Sequence, residues 1–196
     1  MLQNKVLTLQ LKMNIFYLDK NPVIAAQMMC DKHVVKMILE SAQMLSTAVR
    51  VQSGDETANE LGLYKMAHKN HPSTIWARKS YFNFIWLYKH MIALMEEYTY
   101  RYGKHHATEK LIEPLHNSFY GEIHPFGENS EEFTDPPQCM PDECKGEDTV
   151  LAYQTYYIIE KAKIATWNKT RSAPSWWKDD SDGERTLLGL HGKKVA

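Results

Sequence analysis

The sequence contains little of what most readily assigns a protein to a class. Its 196 residues include three cysteines, Cys30, Cys139 and Cys144. Three is a small and odd number, which does not fit a disulfide framework, so we expect a cytoplasmic protein. No apolar run approaches the roughly 20 residues that a membrane span needs, so no membrane partner is expected. The start, MLQNKVLTLQLK, lacks the apolar core and cleavage site of a secretory signal.

An excess of basic residues is also missing, since the formal net charge is −1. Proteins that bind DNA usually carry a positive excess, because neutralising phosphates supplies much of their affinity. The acidic residues are concentrated in 128–148. The rest of the chain therefore keeps a basic balance, which leaves room for a local cationic face.

Motifs for cofactors and metals are scarce. The chain has no Gly-rich phosphate loop, dinucleotide fingerprint, GxSxG or HExxH motif, so no cofactor is expected. Cys139 and Cys144 have a gap that fits zinc ligands, but no second pair follows, and Cys30 with His105 or His106 would have to complete the site. Unrelated cysteines are the simpler interpretation. A metal site between helices would need Glu-x-x-His pairs, which the long helices lack. We therefore expect no metal.

Helical periodicity dominates what is present. It predicts a mainly α, compact single domain of three principal helices with a long acidic irregular insertion. The predicted helices run from Val23 to Val51, from Ser73 to Tyr102 and from Thr149 to Trp167, with a short helical stretch over Leu61–Lys69. Start and stop signals are Pro22, Gly103 and Asp148. The domain would cover 13–180, with an N-terminal extension 1–12 before a more natural start at Met13, the insertion at 104–147 and a tail at 181–196.

The first predicted helix separates apolar from polar residues. Its apolar face consists of Val34, Val35, Ile38, Ala42, Leu45 and Val49. The opposite polar stripe consists of His33, Lys36, Glu40, Gln43 and Thr47. An imidazole, an amine and a carboxylate within two turns can share protons, which makes His33, Lys36 and Glu40 the candidate catalytic residues. The alternative is a solvated helix face with a routine ion pair between Lys36 and Glu40.

The second predicted helix has a core stripe and a polar side. The stripe consists of Tyr81, Phe84, Leu87, Tyr88, Met91, Met95 and Tyr98. Asn83, His90, Glu97 and Arg101 lie together on another side and allow the same two interpretations.

Aromatic and basic residues occur together at two places, a mixture that suits stacking on bases and contact with phosphates. The candidate nucleic-acid-binding residues are His71, Trp76, Arg78, Lys79, Arg101, Lys169, Arg171, Trp176, Trp177 and Lys178. Packing of the aromatic residues in the core or on the surface is the alternative.

Three stretches in order resemble one family. They are KHVVKMILES with His33 and Glu40, the aromatic helix YFNFIWLYKHMIALMEEYTYRYGK preceded by Asn70–Pro72, and the segment AKIATWNKTRSAPSWWK. Together they resemble the pyrimidine-dimer DNA glycosylases of the phage endonuclease V type. The similarity is one of pattern and order, and it covers more than half of the chain.

The resemblance implies a compact helical enzyme that bends damaged double-stranded DNA, flips out a base and attacks the sugar C1′ with an amine. Glu40 matches the catalytic glutamate of the family, and His33 matches a histidine of the same helix. The C-terminal aromatic and basic segment would lie on DNA. A phage-like relative would act in the host cytoplasm.

Three departures from the family pattern leave alternatives open. The family uses the N-terminal amine of a small residue, whereas Leu2 or Asn14 would follow the first methionine here, so Met13 or Lys36 would have to supply the amine. Leu39 stands where the family has an arginine, and an acidic insertion is present. The chain is therefore either a glycosylase, a non-catalytic nucleic-acid-binding module of the same fold, or a helical protein that binds a protein partner through the acidic loop 128–148.

Overall fold

The computed structural model describes residues 13–120 and 132–177. Within these ranges there are seven α-helices: α1 Pro22–Met28, α2 Asp31–Ser53, α3 Asp55–Glu60, α4 Pro72–Lys79, α5 Tyr81–Tyr102, α6 Ile112–Tyr120 and α7 Thr149–Tyr156. Two 3-10 helices, Ala107–Leu111 and Asp142–Cys144, and a π-helix, Tyr157–Lys161, complete the regular structure. The same ranges contain no strand. The prediction of a mainly α fold is confirmed, whereas the predicted extension 1–12 and tail 181–196 lie outside the described residues.

The first predicted helix is two helices. The chain leaves helical geometry at Met29, which has an extended backbone (φ −63°, ψ 143°). The amide of Asp31 donates to the carbonyl of Thr166 at 2.9 Å instead of to a preceding helical turn. A contact with a segment more than a hundred residues away therefore fixes the break, and no local sequence signal predicts it.

The second predicted helix is also broken, at Ser80 (φ −142°, ψ 145°). The Ser80 side chain accepts a hydrogen bond from the amide of Phe82 at 3.1 Å and so caps α5. The side chain of Asn83 donates to the carbonyl of Trp76 at 3.1 Å, near the end of α4. A polar residue of the predicted stripe thus satisfies a backbone group left over at the break.

Helices α2 and α5 pack against each other, and each contributes many residues to the core. The predicted apolar face of α2 is buried except for Val35. Val35 is 37% exposed, so its assignment to the buried face was wrong. The polar stripe is not a solvated face either, because His33, Glu40 and Thr47 are buried. The core stripe and the polar side of α5 are both largely buried, while Phe82, Lys89, Glu96 and Tyr100 lie on an exposed side of the helix.

The stretch over Leu61–Lys69 is not helical, and that prediction was wrong. The short helix α3 precedes it, and the rest is a loop that the buried Arg50 holds in place. The guanidinium of Arg50 donates to the carbonyls of Tyr64 at 2.7 Å and Leu63 at 3.1 Å, and it pairs with Asp55 at 2.9 Å. These bonds offset the lack of hydrogen bonds within the loop.

The predicted insertion 104–147 is only partly irregular, because its first part folds into the 3-10 helix and α6. A reciprocal capping box between His106 and Glu109 starts that helical part. Residues 132–139 have no regular secondary structure and contact the domain through backbone carbonyls. The Trp76 indole donates to the carbonyl of Thr134 at 2.9 Å, and the Asn14 side chain donates to that of Cys139 at 2.8 Å. This part of the acidic segment therefore helps to hold the segment that begins at Met13 in position.

The last predicted helix starts where expected, since Asp148 accepts a hydrogen bond from the amide of Leu151 at 3.0 Å. It changes to π-helical geometry at Tyr157 and does not reach Trp167. None of the helices in the described ranges combines the length and apolar character that crossing a membrane requires.

Candidate active site

A cavity of 730 Å³ opens beside the N-terminal half of α2. Its other walls come from the segment that begins at Met13, from the loop before α4 and from the π-helix. The lining residues are Met13, Asn14, Phe16, Lys32, His33, Lys36, Glu40, Gln43, His68, Tyr156, Lys161 and Ile164. The structure thus brings the three predicted catalytic residues, His33, Lys36 and Glu40, to one cavity.

Glu40 is 8% exposed and is held from two sides. Its Oε1 atom lies 2.7 Å from Nζ of Lys36, and its Oε2 atom accepts a hydrogen bond of 3.3 Å from the backbone N–H of Asn14. Burial raises the pKa of Glu40 and is only partly opposed by the Lys36 ammonium. Glu40 therefore gains a proton more readily than a surface glutamate, which suits a group that accepts and returns protons.

His33 is a neutral group at the wall of the cavity. Burial, assisted by the charges of Lys161, Lys36 and Lys32, lowers its pKa to about 3. Its Nδ1 lies 2.5 Å from the hydroxyl of Tyr157, and its ring stacks on Phe16 with centroids 4.2 Å apart. His33 can therefore donate or accept a hydrogen bond in the cavity, but its ring is uncharged near neutral pH.

Backbone strain is concentrated at the same cavity. Phe16 (φ 54°) and His68 (φ 49°) are the non-glycine residues with positive φ in the described ranges, and both line it. This left-handed region is uncommon for residues with a side chain, and such residues cluster at functional sites. The Asn14 side chain supports the first of them by accepting from the amides of Ile15 at 2.8 Å and Phe16 at 3.2 Å.

The mouth of the cavity is cationic. Lys32 and Lys36 are exposed on α2, whereas the two acids of that helix, Asp31 and Glu40, are buried. Lys161 reaches the cavity from the π-helix, with its ammonium 4.3 Å from the centre of the Tyr156 ring. This wall of a protein with net charge −1 therefore presents positive charge without exposed carboxylates on the same helix.

Sequence reasoning missed Phe16, Lys32, His68, Tyr156 and Lys161, whereas Gln43 belongs to the predicted polar stripe. Lys32 follows the helical period of that stripe and could have been found from it. His68 lies just before the predicted Asn70–Pro72 turn, but its backbone conformation has no sequence signal. Tyr156 and Lys161 come from a distant helix, and only the packing of the chain brings them here.

Several predicted nucleic-acid-binding residues have structural roles. Trp76 is buried with its indole bound to the Thr134 carbonyl, and the buried ring of His71 caps α4 by accepting from the amide of Ser73. The Arg101 side chain has no exposed surface and pairs with Asp31 at 2.9 Å and Glu97 at 2.7 Å. A DNA phosphate at the surface is out of reach of these groups.

The C-terminal aromatic and basic segment packs on the domain. Arg171 binds both carboxylate oxygens of Glu97, at 2.8 and 2.6 Å. Trp176 is buried with its indole 3.4 Å from the Met28 sulfur, and Trp177 is half-buried against Trp167. The side chains of Arg171 and Trp176 are therefore engaged within the protein, while the segment around them is largely exposed.

The remaining candidates for binding DNA differ in exposure. Arg78 is half-buried and donates to the carbonyl of Lys69 at 2.6 Å. Lys79 and Lys169 are exposed, while Lys178 lies outside the described residues.

A zinc site built on the cysteines finds no support in the described ranges. Cys30, Cys139 and Cys144 are buried and free, and no group of three or more His, Cys, Asp or Glu residues there could hold a metal ion.

The family model described as pyrimidine dimer DNA glycosylase matches residues 13–110. These 98 residues are half of the chain and include Lys36, Glu40 and His68. The chain belongs to this family. Membership confirms the resemblance found in the sequence, and it indicates a pyrimidine-dimer DNA glycosylase type of function with DNA as substrate. No curated protein and no solved structure matches the chain.

Proposed function

We propose that the protein is a DNA glycosylase that removes damaged or modified pyrimidine bases from double-stranded DNA in the cytoplasm, including the host cytoplasm for a viral chain. The observation that carries the proposal is the Glu40 carboxylate, buried at the edge of a cationic cavity and touching two nitrogens. It lies in the part of the chain that matches the family. A glutamate on a solvated helix face would not be buried, and a glutamate in an ion pair enclosed in the core would not border a cavity.

The proposed chemistry is attack of the Lys36 amine on the sugar C1′ of the damaged nucleotide. A bond forms between Nζ and C1′, the C1′–N1 bond breaks, and its electron pair leaves with the base. The attacking nitrogen loses a proton to Glu40, whose Oε1 is 2.7 Å away. The C1′–O4′ bond then breaks, O4′ takes the proton that Glu40 returns, and the nitrogen lone pair forms the C1′=N bond of an imine. The carboxylate also stabilises the positive charge that develops on the sugar.

An α-amine is the alternative nucleophile. The backbone nitrogen of Asn14 lies 3.3 Å from Oε2 of Glu40. In an uninterrupted chain it is an amide and does not attack, but a chain beginning at Met13 or Asn14 would place a primary amine at this end of the cavity. Glu40 would serve either amine, so its role does not depend on the choice.

The surroundings of the cavity suit a flipped nucleotide. Enzymes that act on a base within a duplex extrude the nucleotide into a pocket, and damaged pairs resist this least. Lys32 and Lys161 offer phosphate contacts at the mouth. Leu39, where the family has an arginine, is 42% exposed on the same helix. Neutral His33 would hydrogen-bond the nucleotide inside.

The protein-partner alternative through 128–148 is less well supported. Thr134 and Cys139 already bind the domain through their carbonyls, and Asp135 accepts a hydrogen bond from the Tyr17 hydroxyl at 3.0 Å. Residues 128–131 lie outside the described ranges.

Borohydride trapping tests the proposal. Wild-type protein and Glu40→Gln are incubated with duplexes that carry a pyrimidine dimer or an abasic site, and Glu96→Gln serves as a matched control because Glu96 is exposed. We expect a covalent adduct with wild type and Glu96→Gln but not with Glu40→Gln. Peptide mapping of the adduct then distinguishes Lys36 from an α-amine.

Two results would contradict the enzyme. Salt-sensitive DNA binding without any adduct or released base would leave a non-catalytic binding module of the same fold. Unchanged activity in a folded Glu40→Gln protein would remove Glu40 from the mechanism.

A further inference from the structure

His68 reaches the cavity from the loop before α4. It is exposed, and it lines the cavity together with Glu40. Its imidazole makes no hydrogen bond with any residue in the described ranges. An imidazole is therefore presented to the substrate space with its hydrogen-bonding capacity unused.

The surrounding structure holds His68 in its unfavourable backbone conformation (φ 49°). The hydroxyl of Thr47 both donates to the carbonyl of Ala67 at 3.1 Å and accepts from its amide at 3.0 Å. The amide of His71 donates to the carbonyl of His68 at 2.9 Å. Strain that neighbours fix in this way is a feature of functional sites.

The proposed reaction needs an acid as well as a base. The departing pyrimidine takes the electron pair of the C1′–N1 bond and requires a proton on N1 or O2. Glu40 receives a proton from the attacking amine, so it is not available as the donor in the same step. Because the pKa of His33 is lowered to about 3, its ring is neutral near pH 7 and has no imidazolium proton to donate.

We propose that His68 is a second catalytic residue, which donates a proton to the leaving pyrimidine while Glu40 accepts the proton of the amine. The inference rests on the proposed glycosylase function. Imidazole is the most frequent general acid in enzymes. The proton moves from the His68 ring to N1 or O2 of the base, and the base departs as a neutral molecule.

The test compares two substrates that differ only in the leaving base. His68→Asn is used because asparagine tolerates a left-handed backbone but does not donate a proton as an acid. We expect single-turnover release of the damaged base to fall about 10²- to 10⁴-fold. Borohydride trapping on a preformed abasic site, where no base leaves, should be unchanged. His105→Asn is the matched control, since His105 is exposed and lies outside this cavity.

A further substrate sharpens the result. An electron-poor pyrimidine, such as 5-fluorouracil, leaves more easily without protonation, so the deficit of His68→Asn should shrink with it. Equal losses on the base-bearing and abasic duplexes would make His68 a residue of DNA binding or structure and overturn the inference. Normal base release by His68→Asn would overturn it while leaving the glycosylase intact. A wild-type protein that neither releases bases nor forms adducts would instead remove the glycosylase itself, and His68 with it.

Discussion

Helices α2 and α5 each carry a buried histidine and a buried glutamate seven residues apart. On α2 they are His33 and Glu40, and on α5 they are His90 and Glu97. The sequence treats the two pairs alike, since both belong to a polar stripe on a long amphipathic helix. The structure gives them opposite environments.

Glu97 is enclosed in a network of ion pairs. Arg101 and Arg171 bind its oxygens at 2.6–2.8 Å, and Arg101 also pairs with Asp31. His90 is enclosed as well, stacked on Trp86 with Nδ1 2.9 Å from the carbonyl of Pro22. These charges hold α5, α2 and the C-terminal segment together and leave no room for a substrate.

Glu40 has one lysine and one backbone amide, at the edge of a cavity. Its pKa is raised by burial, and its partner Lys36 is 57% exposed and can move. The comparison shows that a histidine and a glutamate seven residues apart have a structural role where arginines bind the glutamate, as on α5. The same pair is accessible to a substrate where it borders a cavity, as on α2.

The largest expected difference between the two glutamates is in activity. Glu40→Gln should lower single-turnover base release by about 10²- to 10⁴-fold, because the amide neither accepts nor returns the proton of the attacking amine. Cleavage of the C1′–N1 bond in a dimer-containing duplex, read as strand scission after alkali, measures this, because the cleaved pyrimidine stays joined to its neighbour in the dimer. A loss of less than tenfold in a folded protein would contradict the role of Glu40.

The second difference is in stability. Glu97→Gln should lower the free energy of unfolding by about 3–5 kcal/mol, because it leaves the buried Arg101 with Asp31 as its one acidic partner among the described residues and removes the carboxylate that binds Arg171. Glu40→Gln should change it by no more than about 1 kcal/mol, since its lysine partner is largely solvated. Chemical denaturation of both variants beside wild type measures the two values. Equal losses would mean that Glu40 is also a structural ion pair.

The two histidines should behave alike, although one faces the cavity. Burial lowers the pKa of His33 to about 3 and that of His90 to about 4, both from 6.5. As the pH falls below 6.5, the unfolded chain binds protons that the folded protein does not, so each histidine destabilises the fold by up to about 1.4 kcal/mol per pH unit. We expect His33→Phe and His90→Phe each to flatten this loss.

Denaturation curves between pH 6.5 and 4, the range set by these shifts, measure the effect. Wild-type slopes in both variants would show that neither histidine is buried in the neutral form.

The smallest expected effect concerns DNA binding at the cavity mouth. Lys161→Ala should weaken binding to an abasic duplex and reduce the slope of log K against log salt concentration by about 1, the effect of one lost phosphate contact. Lys89→Ala, an exposed lysine of α5 outside the cavity, is the control. A salt dependence that changes with Lys89 but not with Lys161 would place the DNA elsewhere.

Much of the fold could be predicted from local patterns. Pro22, Gly103 and Asp148 mark helix ends in the structure as they do in the sequence, because capping depends on residues close in the chain. The breaks at Met29 and Ser80 were not predicted. The first depends on the hydrogen bond from Asp31 to the carbonyl of Thr166, and the second is stabilised by the hydrogen bond from Asn83 to the carbonyl of Trp76. The spacing of apolar residues predicts neither hydrogen bond.

The residues that line the cavity were predicted chiefly where they lie on a single helix, α2. Lys36 and Glu40 follow from their spacing, and His33 from the same stripe. The aromatic and basic residues were a less reliable guide, because stacking on a base and packing in a core use the same side chains. Trp76 and Trp176 are in the core, and the guanidinium of Arg171 is taken by Glu97.

The sequence by itself determined the mainly α class, the family and the helix that carries Glu40, because periodicity, caps and family motifs are properties of neighbouring residues. Only the tertiary structure decided that Glu40 borders a cavity while Glu97 is closed into an ion-pair network. It also decided that His68 and Lys161 share that cavity with Glu40. The physical reason is that burial, pKa and access depend on which distant segments pack against a side chain, and spacing along one helix does not specify them.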